Sequence, residues 1–67
     1  MKTYYFTLAT DIPKNGGWSD AKQRQTECKN WDEFVNYCYK VAYSFNSIVR
    51  GCESEGYNNQ GHYFNNQ

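Results

Sequence analysis

Apolar and polar side chains alternate at the start of the chain, in "KTYYFTLAT". In an extended chain, Tyr4, Phe6 and Leu8 fall on one face, and Tyr5 and Thr7 fall on the other. Alternation among aromatic and threonine residues is typical of a half-buried β-strand. The pattern therefore predicts a first strand whose Tyr4, Phe6 and Leu8 side chains face the core.

A loop and a second strand are predicted next. The segment "DIPKNGGWSD" contains residues that interrupt regular structure, namely Pro13, Asn15, Gly16 and Gly17. The following "AKQRQTECK", residues 21–29, contains neither Gly nor Pro, and both of its faces are polar until Cys28. Polar and charged side chains are how sheets protect their edges. We therefore expect residues 1–29 to form a hairpin whose second strand is an edge strand.

The hydrophobic period changes at Asn30, which is a favoured helix N-cap. Glu33 occupies the capping-box position, and Asp32 and Glu33 place negative charge at the positive end of the helix dipole. Apolar residues then recur in steps of three and four, at Trp31, Phe34, Val35, Cys38, Val41, Ala42, Phe45, Ile48, Val49 and Cys52. This spacing predicts one buried stripe on a helix over residues 30–50. Arg50 followed by Gly51 predicts its end, and Gly56 offers a second stop.

The remaining segment, residues 51–67, is rich in Asn and Gln but contains the aromatic sequence "GHYF". We expect this sequence to pack against the sheet as a short third strand or clamp. The whole chain is then a single α+β domain. It has a two- or three-stranded antiparallel sheet packed against one long amphipathic helix, in ββα or ββαβ order.

Size and charge narrow the function classes. A chain of 67 residues is near the lower limit at which one core folds unaided, so we expect self-association. Seven basic and seven acidic residues give a formal net charge of zero. That balance disfavours general nucleic-acid binding, which needs a basic excess, and disfavours mimicry of DNA, which needs an acidic one.

The three cysteines do not form a recognisable metal or disulfide pattern. They are odd in number, lack a C-x₂-C pair, and are accompanied by His62 as the single histidine. On one continuous helix, Cys38 and Cys52 would be ~21 Å apart, too far to share a metal ion or a disulfide. We expect both to be small core residues, and we expect no metal.

No catalytic or cofactor motif is present in the sequence. The "NGG" turn lacks the following Lys and Ser or Thr of a phosphate-binding loop. Cys28 precedes the helix N-terminus, where the dipole should lower its pKa and make it the most reactive thiol. Nothing orients a base toward it, however. The sequence therefore predicts a protein that is not an enzyme and has no cofactor.

Two tyrosines fall outside the predicted helical stripe. Tyr39 and Tyr43 are four residues apart on one flank, with Asn46 and Arg50 on the same side. Tyr and Arg are enriched at the centres of protein interfaces, so these four residues and the loop residue Trp18 form the predicted partner-binding set. Two alternatives stay open: the tyrosines lean over the sheet with only their hydroxyls in water, and Trp18 folds back onto the core.

A second function class is single-stranded nucleic-acid or nucleotide binding. Lys22 and Arg24 would share a face of the second strand, and rings of the first strand could stack on unpaired bases. A nucleotide could also bind in a pocket formed by a dimer.

In size and architecture the chain resembles small phage-encoded anti-defence proteins, anti-CRISPR inhibitors among them. The resemblance lies in the aromatic strand "KTYYFTLAT", the single long helix "NWDEFVNYCYKVAYSFNSIVR" and the lack of a catalytic set. It implies a protein that blocks a surface of a host protein complex by steric fit. The neutral charge departs from the acidic, DNA-mimicking members of that group. No stretch approaches ~20 apolar residues and the start lacks a signal-peptide core, so we expect a cytoplasmic protein without a membrane segment.

Overall fold

The computed structural model describes residues 1–56 and 60–65, which form an antiparallel sheet with a helix on one face. Its elements are β1 (Lys2–Leu8), β2 (Arg24–Cys28), α1 (Trp31–Phe45), β3 (Val49–Cys52) and β4 (His62–Phe64). The strand order is β2-β1-β3-β4. The predicted α+β class and the helix-on-sheet packing are confirmed, but the sheet has four strands rather than two or three.

The predicted N-terminal hairpin is present. β1 pairs antiparallel with β2 in a register that joins Lys2 to Cys28 and Phe6 to Arg24. β2 lies at the edge of the sheet, as its polar faces predicted, although it is shorter than the predicted residues 21–29. The loop between the strands contains two short 3₁₀ turns, Ala9–Asp11 and Trp18–Asp20.

The start of α1 follows the local sequence signals. The Asn30 side-chain oxygen accepts a hydrogen bond from the Glu33 N–H at 2.9 Å, as an N-cap should. The Glu33 carboxylate accepts from the N–H of Lys29 at 3.1 Å, one residue before the expected capping-box donor. Both bonds satisfy backbone donors at the helix entrance, which fixes its first residue as Trp31.

The end of α1 is not where the sequence predicted it. The helix stops at Phe45, and Asn46 adopts the left-handed conformation with φ 49°. The Asn46 N–H donates to the Tyr43 carbonyl, and the Ser47 N–H donates to the Ala42 carbonyl at 3.0 Å. These bonds form a Schellman-type end with Asn in place of the usual Gly. The predicted helix over residues 30–50 is therefore wrong beyond Phe45.

The residues after this turn form the central strand β3. It pairs with β1 on one side and with β4 on the other, so the "GHYF" prediction is confirmed as a strand, the fourth. Gly51 lies in β3 directly under the helix, where an added Cβ would approach the Phe34 ring to 2.8 Å. A glycine here lets α1 sit close to the sheet.

The main core lies between α1 and the sheet face that it covers. Its buried side chains come from all four strands and the helix: Tyr4, Phe6, Leu8, Cys28, Phe34, Cys38, Val41, Ala42, Val49 and Phe64. The Tyr4 and Phe34 rings stack with centroids 4.7 Å apart. Two residues of the predicted stripe are exposed, Phe45 by 52% and Ile48 by 41%. A third, Cys52, is buried but does not belong to this cluster.

The opposite sheet face, called here the loop-covered face, also contains buried residues. The register places Arg50 of β3 between Thr7 of β1 and Tyr63 of β4. Thr7, Arg50 and Cys52 are all buried. The cover comes from the β1–β2 loop, because the Trp18 ring lies against Tyr63 and the Gln23 side-chain amide approaches the Cys52 sulfur.

Candidate protein-interaction surface

Tyr39 and Tyr43, called here the tyrosine flank, are two exposed residues of α1. The Tyr39 ring contacts Phe64 edge to face, with centroids 5.2 Å apart. Tyr39 is 48% exposed and Tyr43 is 77% exposed. Tyr43 thus exposes much more than its hydroxyl, contrary to the alternative in which both rings cover the sheet. In an α-helix, the spacing of four residues places the two side chains at neighbouring positions on one side.

Arg50 does not belong to this surface. It lies in β3 on the loop-covered face and is 4% exposed, with its guanidinium Nη1 3.9 Å from the Cys52 sulfur. The prediction that Arg50 extends the helix flank is wrong, because the helix ends at Phe45. Asn46 is exposed and forms the left-handed turn that ends α1, so it lies at the end of the flank.

Trp18 is half-buried on the loop-covered face. Its ring meets Tyr63 edge to face, with centroids 5.6 Å apart. It is therefore neither bare in solvent nor folded onto the main core, the two possibilities that the sequence left open. Tyr63 remains 56% exposed beside it. The pair places aromatic surface next to β4 on the face opposite the tyrosine flank.

The two edges of the sheet differ in charge. β2 carries Arg24 and Glu27, and the Arg24 guanidinium forms an ion pair with Asp11 at 2.9 Å. Its hydrogen bond to Asp11 raises the pKa of Arg24, and its guanidinium also lies 5.9 Å from the Phe45 ring. β4, "HYF", contains no Asp, Glu, Lys or Arg. Sheets normally guard their edges with charge, so β4 is the less protected edge.

A groove of about 430 Å³ lies near the start of β4, lined by Trp31, Glu53, Ser54, Gln60 and His62. Trp31 and His62 form its aromatic wall, with ring centroids 5.1 Å apart. Sequence patterns could not find this groove, because its residues come from the helix start and from the segment around β4. This groove, the tyrosine flank and Tyr63 together form an aromatic surface around β4, called here the β4 side.

The cysteines are buried thiols. Burial raises the pKa of Cys38 to about 12, with smaller contributions from Cys28 and Cys52. Burial, and then the Glu33 carboxylate, also raises the pKa of Cys28. The prediction that the helix dipole lowers the pKa of Cys28 is wrong, because the thiol is enclosed in the core.

Cys52 has different surroundings from the other two cysteines. It belongs to β3 rather than to α1, so the distance predicted from one continuous helix does not apply. Its sulfur donates to the Ser54 carbonyl at 3.3 Å on the loop-covered face. All three cysteines are free, and residues 1–56 and 60–65 contain no group of three His, Cys, Asp or Glu side chains that could hold a metal ion.

Two of the three aromatic rings of β1 that were proposed to stack on nucleic-acid bases are buried, and the third, Tyr5, is half-buried. Tyr4 and Phe6 of β1 are buried under α1, and Arg24 is engaged with Asp11. Lys22 lies before the first residue of β2. In the described ranges, no helix has the length and apolar character needed to cross a membrane.

Comparisons with protein-family models, curated proteins and solved structures found no match to this chain. The geometry of the β4 side is therefore the basis for a proposed function.

Proposed function

We propose that this protein is a non-enzymatic protein-binding module that contacts its partner through the β4 side. The supporting observation is the exposed tyrosine flank next to an uncharged edge strand. Tyrosines supply large contact area at low entropic cost, and they are enriched among the residues that dominate binding energy. Both tyrosines stand on a helix that is packed on the sheet, and the contact with Phe64 holds the Tyr39 ring in place before binding.

The partner that we propose is a host protein complex, whose active surface the module covers by steric fit. This partner class comes from the resemblance to small anti-defence proteins in size and architecture. A cytoplasmic location agrees with three free thiols, because cysteines stay reduced in that compartment.

The test begins with affinity purification of the partner from the native host, followed by titration of the purified partner. The double variant Tyr39→Ala with Tyr43→Ala should bind at least about tenfold more weakly, since interface tyrosines often contribute more than ~1.4 kcal/mol. The matched control is Gln25→Ala with Glu27→Ala, two exposed positions on β2. Circular dichroism verifies that both variants fold. Unchanged affinity in the tyrosine variant would contradict the proposal.

A further inference from the structure

The hydrogen bonds of β3 determine which way the backbone of β4 faces. The Ala9 N–H donates to the Ile48 carbonyl at 2.8 Å, so the Ile48 carbonyl points toward β1. Backbone groups alternate in direction along a strand. Arg50 therefore bonds toward β1, while Val49 and Gly51 bond toward β4.

The register carries this alternation across to β4. Val49 pairs with Phe64 and Gly51 pairs with His62, so these two β4 residues use their backbone groups toward β3. Tyr63 lies between them, so its N–H and carbonyl point away from β3, outward in the plane of the sheet. Among the described residues, no strand pairs with this outer edge.

An outward-facing N–H and carbonyl on one residue are self-complementary. When two antiparallel edges meet at the same residue, that residue's N–H donates to the partner's carbonyl and the reverse bond forms by symmetry. Such an arrangement is a two-fold, isologous interface. In such an interface at β4, the two-fold axis would pass between the Tyr63 residues of the two copies.

We propose that the β4 side binds a second copy of this chain, with Tyr63 of each copy pairing across a two-fold axis. This inference rests on the proposed function and goes beyond it, because it names a second partner that would compete with the host complex for the same surface. The antiparallel pairing joins the two four-stranded sheets into one continuous sheet.

The aromatic residues around β4 support this partner. On the loop-covered face, the half-exposed Tyr63 rings would lie opposite each other, each with Trp18 beside it. On the other face, both helices would cover the same side of the joined sheet. The tyrosine flanks would then face each other, because Tyr39 lies over Phe64 at the joined edge.

The spacing of the joined sheet leaves room for those rings. The centres of the two four-stranded sheets would be four strand spacings apart, about 19 Å at ~4.8 Å per strand. Helices above those centres would be roughly 9 Å farther apart than directly packed helices, whose axes are about 8–10 Å apart. The Tyr39 side chain of each copy can project into this space.

Charge also favours a second copy at β4 rather than at β2. The chain has no net charge, so two copies do not repel each other. By the same alternation, Gln25 of β2 directs its N–H to the opposite outer edge. Charged Arg24 and Glu27 flank that position, whereas no charged side chain lies in β4.

The test removes one backbone donor at each edge. Total chemical synthesis can place an N-methyl group on the Tyr63 backbone nitrogen, or on that of Gln25 as the matched control. Sedimentation equilibrium over a dilution series should show a dimer for the unmodified chain and for the Gln25 control. The Tyr63 derivative should dimerise at least about tenfold more weakly, because each dimer loses two hydrogen bonds. A monomer throughout the series, or equal effects at both edges, would overturn the inference.

A side-chain variant guards against a folding defect in the methylated chain. Tyr43→Lys leaves the backbone of β4 intact and places a charge on the tyrosine flank, so it should also weaken the dimer at least about tenfold. An unchanged dimer in this variant would contradict the helix arrangement.

Failure of this inference is distinguishable from failure of the proposed function. A monomeric chain whose host partner is lost with Tyr39→Ala and Tyr43→Ala would refute the second copy and retain the host partner. A dimeric chain whose affinity for the host partner is unchanged by those substitutions would refute the host-partner proposal and retain the second copy.

Discussion

The two faces of the sheet are built in different ways. On the helix-covered face, α1 packs hydrophobic side chains into one cluster around Phe34, which is fully buried. On the loop-covered face, the buried set is Thr7, Arg50 and Cys52, and the cover is an irregular loop. That loop is tied down by hydrogen bonds: Gln23 both donates to the Gly56 carbonyl at 3.1 Å and accepts from the Gly56 N–H at 2.9 Å.

Different interactions therefore stabilise the two faces: side-chain packing on the helix-covered face and hydrogen bonding on the loop-covered face. The helix-covered face depends on close contact between side chains of fixed shape, so small changes of volume should be costly there. The loop-covered face depends on polar contacts and on long side chains that can move.

Removing one ring from each face should give the largest contrast. Phe34→Ala should lower the free energy of unfolding by about 3–5 kcal/mol, because it leaves a cavity under α1. Trp18→Ala on the loop-covered face should cost only about 1–2 kcal/mol, because its ring is half-buried. Urea unfolding monitored by circular dichroism measures both values. Equal losses of unfolding free energy in the Trp18 and Phe34 variants would show that the two faces contribute equally to stability.

Adding one methyl group to each face is the converse experiment. Gly51→Ala places a Cβ 2.8 Å from the Phe34 ring and 3.2 Å from the Cys38 sulfur, so it should cost about 1–3 kcal/mol. Gly61→Ala instead meets the Arg50 guanidinium, the end of a flexible side chain, and should cost less than about 1 kcal/mol. Thermal or urea unfolding of the pair tests this order. A larger loss of stability for Gly61→Ala than for Gly51→Ala would contradict the view that the helix-covered face is rigid and the loop-covered face adaptable.

The buried thiol of Cys38 should make the helix-covered face sensitive to alkali. Burial raises the pKa of Cys38 from 9.0 to about 12, so the folded state holds its proton more tightly than the unfolded state. Its stabilising effect is complete below pH 9 and is lost as the pH rises toward 12, by about 1.4 kcal/mol per pH unit.

The measurement is urea unfolding at several pH values between 9 and 12, for the unaltered chain and for Cys38→Ala. The difference in unfolding free energy between the two should shrink as the pH rises, since only the unaltered chain loses the thiol contribution. Parallel pH profiles would show that Cys38 is not the responsible group.

Local signals explain what the sequence could predict of the fold. The first strand and the helix start were predictable because alternation, the Asn30 cap and Glu33 act within a few residues. The helix end was not, because Val49 and Cys52 continue the helical spacing by chance while lying in β3. Asn46 is the residue that ends the helix, and Asn adopts the left-handed conformation more readily than most residues.

The candidate site was predictable only in part, for the same reason. Tyr39 and Tyr43 are neighbours through helical geometry alone, so their spacing identified them. Arg50 was misplaced with the helix end, and its burial reflects its position in β3 between β1 and β4, far from the helix flank. The contrast between the β2 and β4 edges required the strand order, which no local pattern contains.

Site-specific photocrosslinking tests the central claim most directly, namely that this protein meets other proteins through its β4 side. The photoreactive residue p-benzoylphenylalanine would replace Tyr43 in one sample and Gln25 of β2 in another, each irradiated as concentrated protein and in host extract. We expect protein adducts from position 43 and none from position 25. Adducts from position 25 alone, or none from position 43 in both settings, would contradict it.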